Sequence, residues 1–141
     1  MIKGIILSLF ILLAHRVSHA DTVEDAKNRA LISSTTDLLT TAVAFTQGAR
    51  DLNPIIGTNS AMLIPVGAFK FYLIDRVASS NDTDEGKKIK LNFITAVWGG
   101  ASINNLLVLA GVTSPATLII GAVGGYMIYE TVSEKSNNYG P

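Results

Sequence analysis

Most charged residues of this chain stand in three clusters, Asp21 to Arg29, Arg76 to Lys90 and Glu130 to Lys135, and the stretches between them are long and apolar. A soluble domain spreads charge over its whole surface, so this segregation fits segments that cross a bilayer and are joined by polar turns. Composition points the same way. Of 141 residues, 48% are apolar and 16% charged, against roughly 25% charged in soluble domains. The length allows one folded unit. The expected fold is all-α, an integral membrane bundle of about four transmembrane helices after a cleavable signal peptide.

The signal peptide is read over residues 1–20. Lys3 supplies a positive start, Ile5 to Ala14 an apolar run, and Ser18 and Ala20 the small residues that a signal peptidase needs. An uncleaved anchor fits less well, since about 10 apolar residues cover ~15 Å of a ~30 Å hydrocarbon core. Residues 21–141 then form the helical membrane domain. Spans are expected at about 30–47, 55–77, 91–110 and 116–132, separated by the turn around Gly48, the polar loop at Ser79 to Lys88 and the turn at Gly111 to Pro115. Pro65 falls inside the second span and is expected to kink it. Tyr126 and Tyr129 suit a membrane interface.

Two rules give opposite orientations. A cleaved signal sends Asp21 outward, which puts the Arg50 turn inside. Counting cations places Lys27, Arg29, Arg76, Lys87, Lys88, Lys90 and Lys135 on one side against Arg50 on the other, which would put the basic side in the cytoplasm. Both orientations stay open.

Polar residues within the spans carry the functional interest. Asp37 precedes Gly48 by 11 residues, or ~16 Å, and Lys70 lies ~22 Å beyond the same turn on the returning helix. A lysine stem closes the ~6 Å difference, so a buried Asp37–Lys70 pair is expected, sparing each charge the ~3 kcal/mol that an unpaired ion costs in lipid. Thr40, Thr41, Ala44 and Gly48 continue one small, hydroxylic face of the first span. On the third span Trp98, Ser102 and Asn105 share a face, and Asn104 belongs with Val97, Gly100 and Ala101. Gly121 and Gly125 form a Gly-x-x-x-Gly packing motif. The Asp37–Lys70 pair suits either an ion relay or a fixer of helix register, and the asparagines suit interhelical hydrogen bonding. The acidic run Asp82, Asp84, Glu85 lacks the glycine and distal glutamate of a calcium loop and reads as solvated. Asn81-Asp82-Thr83 is a glycosylation sequon that acts only in a eukaryotic lumen.

The run Asp37-Leu38-Leu39-Thr40-Thr41, followed by Gly48-Ala49-Arg50-Asp51-Leu52-Asn53-Pro54 and a lysine in the next span, resembles a family of small prokaryotic membrane proteins with an uncharacterised domain. The family pattern is Asp-x-x-x-Thr, then Gly-x-x-Glu-x-Asn-Pro, then Lys. Asp37, Thr41, Gly48, Asp51, Asn53, Pro54 and Lys70 match it, with Asp51 in place of the usual glutamate, and Asn104 or Asn105 resembles a family asparagine. The resemblance covers roughly Ser33 to Ala110 and implies no known activity.

Several chemistries are excluded. The chain has no cysteine, and both histidines, His15 and His19, fall in the signal peptide, so a Ser-His-Asp triad, a cysteine nucleophile and a His-ligated zinc or haem site are ruled out. Removal of Lys3 and Arg16 leaves nine basic residues against eleven acidic, a net charge of minus two, with no basic patch for nucleic acid. No enzymatic activity, cofactor or metal is expected. The reading is a structural or interaction subunit of the bacterial inner membrane, with the lipid bilayer as solvent and a homo-oligomer or other membrane proteins as partners. A proton- or ion-coupled transporter using Asp37 and Lys70 and a holin-like pore former are the alternatives.

Overall fold

The computed structural model describes residues 21–48, 59–112 and 114–137. Residues 1–20, and with them the expected signal peptide, lie outside that set. So do the turn residues Asp51, Asn53 and Pro54.

Every regular element among the described residues is helical: α1 (Val23–Thr46), a 3-10 turn (Ser60–Met62), α2 (Leu63–Ala78), α3 (Asp84–Leu109) and α4 (Ala116–Asn137). The starts are set by capping side chains. Thr22 and Asp25 form a reciprocal capping box at α1, and the Thr83 hydroxyl accepts from the Gly86 amide at α3. The end of α3 is a Schellman turn. The amides of Gly111 and Val112 donate to Val108 and Leu107, and Gly111 takes a φ of +84° that a side chain would resist.

One expectation is corrected here. The described part of the second span is not one helix running through Pro65, because α2 begins at Leu63 after a 3-10 turn capped by Asn59. Pro65 therefore sits in the first helical turn. There the missing N–H has no intrahelical acceptor to lose, and no kink is needed.

α3 is the central helix. It packs extensively against α4 and α1, whereas α2 leans on α1 and touches α3 more lightly. α1 and α3 run parallel, as Arg29 meets Asn92 and Asp37 meets Asn105. The order in space is thus α4, α3, α1, α2, and α2 and α4 make no extended contact across the face of α3.

Buried positions divide almost evenly between polar and apolar residues, the apolar ones including a cluster of Ala26, Ala30, Ile74, Leu91 and Ile94. Among the described residues nine buried positions are polar or charged, including Ser33, Asp37, Lys70, Asn92 and Thr95, against eight that are apolar. Large apolar side chains such as Ile64, Phe69, Leu118 and Ile119 lie on the outside. Among the described residues one helix, over Ala116–Glu134, is long and apolar enough to cross a membrane, and 17% of its apolar window is buried.

Candidate functional site

The α1–α3 seam is built from hydrogen bonds at helical spacing. At the charged end Arg29 clamps Asp21 through two bonds of 2.6 and 2.8 Å and donates a third, at 2.9 Å, to Asn92. One turn further on, the Ser33 hydroxyl donates to the Thr95 carbonyl at 2.7 Å. Beyond that lies the ion pair. Lys70 of α2 donates to Asp37 Oδ2, and both side chains are about nine-tenths buried. Asn105 Nδ2 lies 3.1 Å from Asp37 Oδ1, 3.2 Å from Thr40 Oγ1 and 2.8 Å from Thr41 Oγ1. An amide nitrogen carries two protons, so these three acceptors share two donors.

Trp98 completes the cluster. Lys70 Nζ stands 5.0 Å from the centre of its ring, within reach of a cation–π attraction that grows when water is excluded. The ammonium is thus held between a carboxylate and an aromatic face.

Of the residues singled out from sequence, the structure brings together Asp37, Thr40, Thr41, Lys70 and Asn105. Asn104 is not part of that network: its Oδ1 is buried with no hydrogen-bond partner. It belongs to the α3–α4 crossing instead, where Gly100, Gly121 and Gly125 bring the two backbones together. A methyl group at Gly121 would meet the Gly100 carbonyl at 2.8 Å, and one at Gly125 would meet the Ala96 carbonyl at 2.7 Å. Gly48 follows the end of α1 with a φ of +77°. Sequence reasoning missed the cationic contact of Trp98 and the Arg29–Asn92 link. The first had a signal, the shared face of Trp98 and Asn105; the second had none.

The gap between α2 and α4 is a cleft of about 750 Å³. Asp37, Lys70, Trp98 and Asn105 border it on one side, the glycines of α4 on the other, and Tyr126 and Tyr129 lie towards one end. The site therefore combines a neutral ion pair and the polar groups of Thr41 and Asn105 with a largely apolar wall. No family model matches this chain, and neither a curated protein nor a solved structure matches it.

Proposed function

We propose that this chain is a four-span integral membrane protein, with spans at about 30–47, 55–77, 91–110 and 116–132, that serves as a structural or interaction subunit and not as an enzyme. One observation carries the reading: large apolar side chains cover much of the outside while Asp37, Lys70 and other polar residues share the interior with a small apolar cluster, an arrangement suited to lipid as the solvent. The buried hydroxyls support the structural role. Thr95 and Ser102 donate to carbonyls of their own helix and Ser33 to the neighbouring helix, so these three fasten backbone. Alkaline carbonate extraction tests the membrane assignment. Retention in the bilayer pellet is expected, and release into the supernatant contradicts it.

A second reading, a proton- or ion-coupled path, draws on Asp37 bordering the open cleft. Liposomes containing the protein and a pH-sensitive dye distinguish the two under an imposed potential. The structural reading expects no flux above empty liposomes. Flux that disappears in a folded Asp37→Asn, Lys70→Gln variant would replace it with the relay.

A further inference from the structure

We infer that the peptide bond between Ala20 and Asp21 is a timed processing site, open to a signal peptidase only until Arg29 closes on Asp21, after which the folded chain keeps whatever leader it still carries. The inference rests on the reading of residues 1–20 as a signal peptide. The C-terminal side of the bond belongs to the described residues, from Asp21 onward.

A peptidase holds its substrate as an extended strand, so it needs free main-chain groups and room for the side chains beside the cut. The folded chain offers neither. The Asp21 side chain is 8% exposed, and both of its oxygens accept from the Arg29 guanidinium, at 2.6 and 2.8 Å. A forked, charge-assisted contact of this kind fixes direction as well as distance. Arg29 is itself tied down, because its Nη2 also donates to Asn92 of α3, which is 1% exposed. The grip on Asp21 is therefore complete only when α1 and α3 have packed together.

Thr22 is committed in the same way. Its amide donates to Asp25 Oδ2 and its carbonyl accepts from the Ala26 amide, which leaves neither to pair with an enzyme's strand. Cutting the folded chain thus requires Asp21 to leave Arg29 and the first turn of α1 to open, and the rate follows the small population that has done both. A chain still entering the membrane carries neither restraint, so processing belongs to that stage.

The test follows the full chain by pulse labelling in bacterial cells, with and without a reversible signal-peptidase inhibitor during the pulse. Without the inhibitor, N-terminal sequencing is expected to begin at Asp21. With it, precursor accumulates and folds. Once the inhibitor is removed, that precursor should be processed at least about tenfold more slowly than unblocked chain, as expected when a charged hydrogen-bonded contact must break first, while a second exported protein reports that the peptidase has recovered. Arg29→Gln should bring the blocked precursor back to the unblocked rate. Arg29→Lys keeps the charge for assembly but loses the fork, and should accelerate processing about threefold or more. Gly121→Val loosens the α3–α4 crossing without touching the clamp and should leave processing slow. Blocked native precursor that is processed as fast as unblocked chain, or Gly121→Val that accelerates it as much as Arg29→Lys does, overturns the inference. An N-terminus other than Asp21 without the inhibitor would overturn the signal-peptide reading itself, so the two failures are distinguishable.

Discussion

Asp37→Asn leaves the Lys70 ammonium against Trp98 without its carboxylate, and Lys70→Met removes the main charge partner of Asp37 in return. Each is expected to cost about 3–5 kcal/mol, because a buried charge is stranded. The double variant should recover much of that loss, since no charge then remains to be desolvated. Thermal stability in detergent measures this, and strictly additive losses would show that the pair contributes no coupling. The loop offers a pH-dependent counterpart. The hydrogen bond from Lys90, then that from Ser80, then the Lys90 charge hold the Asp82 carboxyl below the ordinary aspartate value. The folded pKa is depressed, so the contact stabilises the fold above about pH 4 and is lost as pH falls through the folded value. Carboxyl NMR titration should show the Asp82 value rising towards the ordinary range in Lys90→Gln, with the Ser80 hydrogen bond still holding it down in part. An unchanged titration would place the cause elsewhere. At this scale the pairing of Asp37 with Lys70 was legible, because it follows from helical rise counted along two spans. Which asparagine joins it was not. Asn104 and Asn105 are about 100° apart around one helix, and the rotation of α3 is fixed by its neighbours.

Among elements, the α3–α4 crossing is the most exacting. Its two backbones meet at Gly100, Gly121 and Gly125, so Gly121→Val should cost at least about 1–3 kcal/mol by forcing the helices apart. Gly48→Ala, where a Cβ meets no atom within 4 Å, acts only through its positive φ and should cost less. Equal losses would show that the close approach is not what the glycines provide. The Gly-x-x-x-Gly spacing marked this contact in the sequence but did not name its partner, because the motif describes one helix face and not the surface it meets. The beginning of α2 was illegible for a different reason. Pro65 suits the first turn of a helix and the kinked middle of a longer one, and the break that decides between them, Gly57-Thr58-Asn59-Ser60 with its capping asparagine, is short and flanked by apolar residues that extend the span on either side.

Across the whole molecule, the N-terminal end of α1, the C-terminal end of α2 and the N-terminal end of α3 meet at one end. Lys27 bonds to Asp75 and Arg29 to Asn92 there, and Lys87, Lys88 and Lys90 are paired with acids of the adjoining loop and first turn. Gly48 and Gly111 close the opposite end. The all-helical architecture was legible from the segregation of charge, whereas the open cleft was not, since it depends on α2 and α4 failing to meet. Sidedness tests the four-span account most directly, and the chain suits it because it contains no cysteine. Single cysteines at Thr22, Ser80 and Val112 are labelled in sealed vesicles with a membrane-impermeant maleimide, before and after permeabilisation. The account predicts that Thr22→Cys and Ser80→Cys react from the same side and Val112→Cys from the other. Reaction of all three from one side would contradict it.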